Sequence, residues 1–336
     1  MNVSARMRTV AALLLAVTVS LSAGCASRGG SPPAFSFAVM GDQQYSAREE
    51  LLFPHLLDAV SREPVEFVVH VGDFKAGSDA PCTDELFERR HREFGQSRHA
   101  FIYMPSDNEW VDCRRPSNGA ADPLERLRRL REIFFASPAS LGKNPLPLEA
   151  QSVVYANDPI LSRYRENVIW RRHGVVFVTV NVQGSNDNLG FDAASDQERA
   201  DRTRANAVWL NRAMAFARAG DMLGIVVFLH ANPGFEEAPD TVARSGFRNF
   251  LQLFEREAAV LAKPVLLVHG DTHQFRIDRP YISPLTRLPL DNVTRVETWG
   301  SPFVDWLRIT VDPAERLNPP GLFRIESGGF SPPAAN

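Results

Sequence analysis

Short apolar runs alternate with amphipathic stretches along most of this chain, and many of the apolar runs end in a polar cluster. FSFAVMGD (35–42) reads as a buried strand and VEFVVHVGD (65–73) as a second, closing on the same Gly-Asp pair. Between them, SAREELLFPHLLDAVSR (46–62) has helical spacing. A helix is expected over 84–94. HAFIYMPSDNEW (99–110) follows as a third strand running into a polar loop. A helix over 123–135 precedes a Pro-rich irregular stretch to about 150, and VIWRRHGVVFVTVNV (168–182) reads as a hairpin around His173-Gly174. QGSNDNLG is a loop, followed by a long helix over about 195–219, the strand GIVVFLH (224–230) and a helix over about 239–258. VLLVHGDTHQF (265–275) is a strand ending among polar groups, and RVETWG and FVDWLRITV read as an antiparallel pair. The chain has no internal repeat and no clean domain boundary.

Alternating βα units followed by hairpins predict parallel strands extended by antiparallel ones. In such sheets ligands gather beyond the carboxyl ends of the strands. With 336 residues, 44% of them hydrophobic, the chain can bury a sizeable core. A net charge of −3 gives no global basic field, so nucleic acid is not an expected partner. The Arg-rich run ERLRRLREIFF is the solvated face of one helix, with Leu127, Leu130, Ile133 and Phe134 turned inward.

The first residues have a different pattern. MNVSARMR carries Arg6 and Arg8, and TVAALLLAVTVSLSA is an apolar stretch too short to span a bilayer comfortably. LSAGCAS then resembles a bacterial lipobox with Cys25 as the lipidated residue; Ser22 stands where the usual leucine would be. Ala26 after the cysteine implies the outer membrane, so the resemblance implies a lipid-anchored protein facing the periplasm of a Gram-negative bacterium. The alternative is an ordinary secretory signal with an incidental cysteine. The expected organisation is a signal peptide over 1–24, a flexible tether over 25–33, one domain over 34–326 and a tail over 327–336. Export leaves Cys82 and Cys113 as an even pair in an oxidising compartment. A disulfide between them would close a loop of about 30 residues and contribute about 3 kcal/mol by chain entropy; two free thiols are the alternative.

The polar residues just past each strand carry the chemistry. Asp42 and Gln44 follow the first strand, Asp73 the second, and Asp107, Asn108 and Glu109 the third; His230 follows the strand at 224, and Asp271 and His273 the strand at 265. Any one of these alone is unremarkable, since Gly-Asp after a strand is usually a turn. Carboxylates converging from five strands would repel one another unless cations lay between them.

In order and spacing these strand ends resemble the calcineurin-like metallophosphoesterase superfamily, whose pattern is D-x-H, G-D-x-x, G-N-H-[DE], a single His, then G-H-x-H. The resemblance spans 39–273. Asp42 fits the first motif, with Gln44 in place of its histidine, and Asp73 fits the bridging carboxylate. SDNE (106–109) puts Asp107 at the amide ligand's place and Asn108 at that of the catalytic histidine. His230 fits the fourth motif, and GDTH puts Asp271 for the first histidine and His273 for the second. A one-residue shift, making Asn108 the metal amide and Asp107 a turn residue, is the alternative alignment.

The resemblance implies an α/β fold, a four-layer α/β/β/α sandwich with mixed sheets, holding two divalent metal ions. One ion would meet Asp42, Gln44, Asp73 and His273, and the other Asp73, Asp107, His230 and Asp271. Oxygen-rich ligand sets favour Mn, Mg or Fe over Zn, which remains possible. The implied reaction is hydrolysis of a small phosphate mono- or diester by metal-activated water. Asn108 cannot donate a proton as a histidinium can, so Asp73 and Asn108 are the catalytic expectations and Lys75, His269 and Glu109 the candidate acids. A non-catalytic protein that binds metal, phosphate or a partner is the competing expectation, and a single-metal, weak esterase a third.

Other polar residues have plainer readings. His269 and His273 share the spacing of H-E-x-x-H, but Gly270, Asp271 and Thr272 disfavour helix and no Glu lies between. His70 lies inside its strand and reads as a core residue, and His173 as a turn residue. Tyr45, Lys75 and His269 are expected to contact substrate or to support the ligands by hydrogen bonds. Asn181 and QGSNDN either reach the site rim or cap a strand. No Walker A loop or G-x-S-x-G elbow is present.

Overall fold

The computed structural model describes residues 32–238, 240–283, 286–316 and 321–332, and Cys25 and the expected signal peptide over 1–24 lie outside them. Alternation along the early strands decides the layering, because successive side chains of a strand point to opposite faces. In β1 (Phe35–Met40), Phe35, Phe37 and Val39 enter one core while Ala38 and Met40 enter another. β2 (Phe67–His70) and β3 (Ala100–Tyr103) repeat this: Phe67, Val69, Ala100 and Ile102 join the first core, and Val68, Phe101 and Tyr103 the second.

The second core lies under three helices, α1 (Ala47–Arg62), α2 (Asp84–Phe94) and α3 (Pro123–Phe134), which bury Phe53, Leu56, Phe87, Phe94, Leu127 and Leu130. Each helix starts on a side-chain cap that satisfies an otherwise orphaned N–H: Ser46, Thr83 and Asp122. The first core lies between two sheets. The Phe37 ring meets Phe177 edge-on at 5.4 Å, and Phe67 meets Trp170 at 5.5 Å.

Those partners belong to the second sheet, formed by β4 (Glu149–Ala150), β5 (Val168–Arg172), β6 (Val175–Thr179), β7 (Gly224–Phe228), β8 (Val265–His269), β9 (Arg276–Asp278) and β10 (Val293–Glu297). Its order is β4-β5-β6-β7-β8-β10-β9, with β6, β7, β8 and β10 parallel. Between β4 and β7 the chain forms the one-turn helix α4 (Gln151–Val154), the short turn α5 (Gly184–Asp187) and the long helix α6 (Ala193–Arg218). After β7 come α7 (Val242–Ser245) and α8 (Arg248–Leu261). The long helices bury Trp209, Leu210, Met214, Phe250 and Phe254 on this sheet's outer side. The first sheet is completed by β11 (Leu307–Val311) and β12 (Phe323–Ser327) in the order β12-β11-β1-β2-β3. The result is helices, sheet, sheet, helices: the four-layer α/β/β/α sandwich.

Three expectations need correction. RVETWG and FVDWLRITV do not pair: β10 lies parallel to β8 in one sheet, and β11 lies antiparallel to β1 in the other. Both are strand-like in sequence, but residues 298–306 between them cross from sheet to sheet and bind the site on the way, with Ser301 N donating to Asp42 O at 2.7 Å. The helix over 239–258 is broken into α7 and α8 at Gly246, whose N–H is taken by Asn186 Oδ1 at 2.8 Å. The end of the chain is not all tail, since Gly328 N donates to Trp306 O at 2.7 Å. β4, β9 and β12, each short or at a sheet edge, were not expected. The disulfide joins Cys82 to Cys113 with Cα atoms 5.8 Å apart. Among the described residues no helix is long and apolar enough to cross a membrane.

Candidate metal centre

The strand ends of both sheets meet in one place. Asp42, Asp73 and Asp107 come from the loops after β1, β2 and β3, and His230, Asp271 and His273 from those after β7 and β8. The loops bend through left-handed backbone at Asp42 (φ 55°), Gln44 (66°), Asp73 (58°), Asp271 (84°) and His273 (60°). Non-glycine residues pay about 1–3 kcal/mol for such geometry, and strain of this kind collects at functional sites. Cross-loop bonds hold it: Asp42 N to Gly72 O at 2.9 Å, Gln43 N to Asp73 O at 3.0 Å, and Asp271 N to Asp42 Oδ1 at 2.9 Å.

Two ligand clusters result. Asp42, Asp73 and His273 each offer one ligand atom, all within 4.8 Å of one another, and so do Asp73, Asp107 and His230. Asp73 belongs to both. His230 Nε2 lies 3.0 Å from Asp107 Oδ1, 3.5 Å from Asp73 Oδ1 and 4.0 Å from Asp271 Oδ1. His273 Nε2 lies 3.6 Å from Asp42 Oδ1. Both imidazoles are turned the same way by their other nitrogen: His230 Nδ1 is 2.9 Å from Val71 O and His273 Nδ1 is 2.9 Å from Ser301 O. A carbonyl accepts only, so Nδ1 carries the hydrogen and Nε2 keeps its lone pair for the cluster.

The charge balance calls for cations. Burial pushes the Asp42 and Asp73 carboxyls up, and pushes Asp271 up to about 8. His230 is held well above its ordinary value: burial opposes its charge, but Asp73 and Asp107 outweigh it. Burial works against Asp107 too, yet the nearby His230 holds it low. Without cations the site therefore keeps protons that metal ions would displace. Asp107 Oδ1 and His230 Nε2 are buried with no hydrogen-bond partner of good geometry, as is Gln44 Oε1. These donor atoms fit a pair of hard divalent ions.

Gln44 is oriented by charge. Its Nε2 donates to Glu93 Oε2 at 3.2 Å and to Glu50 Oε2 at 3.5 Å, which fixes the amide so that Oε1 points away from those carboxylates. Asp271 lies beside both clusters, its Oδ2 accepting from Asn232 N at 2.9 Å. The Tyr45 hydroxyl sits among the ligands, donating to Asp73 Oδ2 at 2.5 Å and lying 3.3 Å from His273 Nε2. Asn108 donates from Nδ2 to Asp73 Oδ2 at 2.6 Å and to Tyr45 Oη at 2.9 Å. A Cβ added at Gly77 would lie 2.6 Å from Asn108 Oδ1, so that oxygen faces the Gly77 backbone. Asp107 thus offers a carboxylate oxygen to the second cluster, while the Asn108 side chain lies beside Gly77 and Asp73.

Lys75 and His269, expected as substrate contacts or as supports, are both bonded to backbone. Lys75 is buried, with Nζ donating to Ala76 O at 2.7 Å and to Asn108 O at 2.8 Å. Its ammonium props the Asn108 loop, the supporting role that was the alternative to a substrate contact. His269 is wholly buried, with Nδ1 2.8 Å from Gly270 O, and burial lowers it to about 3, so it is a neutral core group. Glu109, the third candidate acid, binds backbone, accepting from Phe74 N at 2.5 Å and Ser106 N at 2.9 Å.

Sequence reasoning missed Ser106 and Glu297 as supports and named the loop of Ser185 only as one that either reaches the site rim or caps a strand. Ser106 Oγ accepts from Asp73 N at 2.6 Å. Glu297, buried at the end of β10, accepts from Thr272 N at 3.2 Å, from Gln274 N at 3.3 Å and from the Thr272 hydroxyl, and so grips the loop that carries Asp271 and His273. Ser185 reaches Asp107. The only sequence signal for Glu297 is a carboxylate at a strand end, in VTRVE; for Ser185 it is its place in QGSNDN.

No protein-family model and no curated protein sequence matches the chain. Solved structures do. A structure of PhoD superposes with a TM-score of 0.54 at 11% identity, covering 85% of this chain and 65% of PhoD. This chain thus spans just under two thirds of PhoD's length. A dimetal phosphatase from Danio rerio gives a TM-score of 0.49 at 12% identity, covering 83% of this chain and 96% of that one. A 5'-nucleotidase from Candida albicans gives 0.45 at 10% identity, over 87% of this chain and 50% of the other. The layer order, the mixed sheets and the PhoD superposition together show a four-layer, metallophosphoesterase-like fold.

Proposed function

We propose that the protein is a hydrolase of phosphate mono- or diesters working at a pair of divalent metal ions. The observation that carries this reading is the pair of ligand clusters sharing Asp73, with buried lone pairs aimed into them. Asp42, Gln44, Asp73 and His273 would hold one ion, and Asp73, Asp107, His230 and Asp271 the other. Bound there, the two ions would polarise the phosphoryl group and activate water. The chain's own residues do the rest. Asn108 Nδ2 and the Tyr45 hydroxyl both bond Asp73 Oδ2 and supply hydrogen-bonding groups beside it. Val71 O and Ser301 O keep the two imidazoles aimed. Lys75, His269 and Glu109 are all committed to backbone, so no side chain in the place of the family's histidine supplies a proton to a leaving group. Substrates with good leaving groups fit such a site best.

The test combines metal content with turnover. With Mn²⁺ or Mg²⁺ supplied, the protein should bind metal and cleave nitrophenyl phosphate esters at least about a hundredfold faster than alkyl ones, the size of a missing general acid. Asp73→Ala should remove both metal and turnover. Metal binding without turnover of any ester would sink the hydrolase reading in favour of a binding protein.

We further infer export and anchoring through Cys25 at the outer membrane, facing the periplasm. The Cys82–Cys113 disulfide supports the oxidising compartment. Membrane fractionation decides it: Cys25→Ala should release the protein to the soluble fraction and change the mature mass by the lost lipid, and an unchanged mass would refute anchoring.

A further inference from the structure

The segment after β6 takes an uncommon path. Ser185, Asn186, Asp187 and Asn188 have φ of 50°, 53°, 56° and 64°, four consecutive non-glycine residues in left-handed backbone. Each costs about 1–2 kcal/mol, least for Asn and Asp and more for Ser. Such a turn persists only if its surroundings hold it. They do: Asp187 Oδ1 accepts from Gln183 N at 3.1 Å and pairs with the buried Arg202, Asn186 Oδ1 accepts from Gly246 N at 2.8 Å, and Asn188 Oδ1 accepts from Arg114 Nη2 at 2.7 Å.

What the turn delivers is a hydroxyl. Gly184 packs so close to Asp107 that an added Cβ would lie 2.5 Å from its Oδ1. Ser185 Oγ, the next residue's, lies 2.9 Å from Asp107 Oδ2 and 2.9 Å from Asp112 Oδ1. A hydroxyl has one hydrogen for these two carboxylates. Asp112 is already answered by Arg115, whose Nη1 is 2.8 Å from its Oδ2. With Arg115 on the other oxygen of Asp112, the hydroxyl is placed to serve Asp107 Oδ2, whose other oxygen meets His230 Nε2 at 3.0 Å.

The geometry points to Ser185 as a positioning residue for the cation site that Asp107 shares with His230. Its hydroxyl occupies Oδ2 and leaves Oδ1, which lies in the cluster 3.0 Å from His230 Nε2, as the oxygen that would hold an ion. The family resemblance puts an asparagine at this position, and an amide offers one oxygen. Ser185 makes an aspartate bind in the same one-oxygen manner while adding a negative charge. This rests on the two-ion reading above.

The experiment is calorimetric titration of Mn²⁺ into the metal-stripped full-length protein. The wild type should take up two ions. Ser185→Gly loses the hydroxyl but suits the left-handed backbone, so the metal-free melting temperature should stay within about 2 °C. It should keep one ion at wild-type affinity and bind the other at least about tenfold more weakly, the usual effect of removing a ligand's hydrogen-bond partner. Ser185→Asn, which tolerates φ near 50° and carries an N–H donor, should recover most of that loss. Two ions bound to Ser185→Gly at wild-type affinity would overturn the inference alone. Equal weakening of both ions with a lower melting temperature would overturn it too, as a collapse of the turn. No Mn²⁺ on the wild type would instead bring down the two-ion reading, and this inference with it.

Discussion

His70 shows how one buried side chain sets acid sensitivity. It lies wholly inside β2, its ring 5.0 Å from Phe94 and 6.1 Å from Tyr103, with Nδ1 accepting from Gly72 N at 3.2 Å. Burial, helped by the charge of Arg90, holds it neutral down to about pH 3. In the unfolded chain it takes a proton below about pH 6.5. Between those limits the unfolded state binds more protons, so stability falls as pH falls, by about 2 kcal/mol at pH 5. Urea unfolding at pH 7 and pH 5 should show His70→Phe losing less stability than wild type by about that amount; equal losses would refute the assignment. The core role of His70 was legible in the sequence because it sits mid-strand in an apolar run. The committed state of Lys75 was not, because it is tied to the Asn108 carbonyl, which only the folded loops bring near.

At the scale of elements, strands that end in a motif and the β5–β6 hairpin were legible, while the partners of β10 and β11 were not. β1, β2, β3, β7 and β8 each close on a polar cluster, and their order alone laid out the site. β10 and β11 have equal strand character, but nothing local says that the loop between them crosses sheets; that is decided by backbone bonds such as Thr298 N to His269 O at 2.9 Å. The disulfide acts on one such loop. Cys82 precedes α2 and Cys113 follows Asn108 and Glu109, with Cys113 Sγ 3.1 Å from Glu109 O. It ties the segment that carries Asn108 to the start of α2. Cys82→Ser with Cys113→Ser should cost about 3 kcal/mol of stability in urea by chain entropy. It should also weaken one of the two ions and lower turnover, because the loosened segment carries the ligand Asp107 as well as Asn108. Unchanged metal affinity and turnover in the double variant would contradict that role.

For the whole molecule, the site joins two sheets. Asp42, Asp73 and Asp107 hang from the five-stranded sheet, and His230, Asp271 and His273 from the seven-stranded one. Several buried carboxylates face one another across the junction, so the metal-free protein holds a seam of like charge that is relieved only by retained protons. An ion bound by both sheets removes that repulsion and exists only in the folded state, so it stabilises the entire fold, not one loop. At a free metal concentration a hundred times the dissociation constant, each ion adds about 2.7 kcal/mol. For a chain of this length that raises the melting temperature by about 4 °C per ion. Thermal unfolding with Mn²⁺ and with chelator should therefore differ by roughly 8 °C in wild type if both ions bind. Asp73→Ala, which removes the carboxylate common to both clusters, should melt at the same temperature in either condition. A metal-dependent shift that survives in Asp73→Ala would mean that the stabilising ion binds elsewhere, and the seam between the sheets would then need another source of neutralising charge.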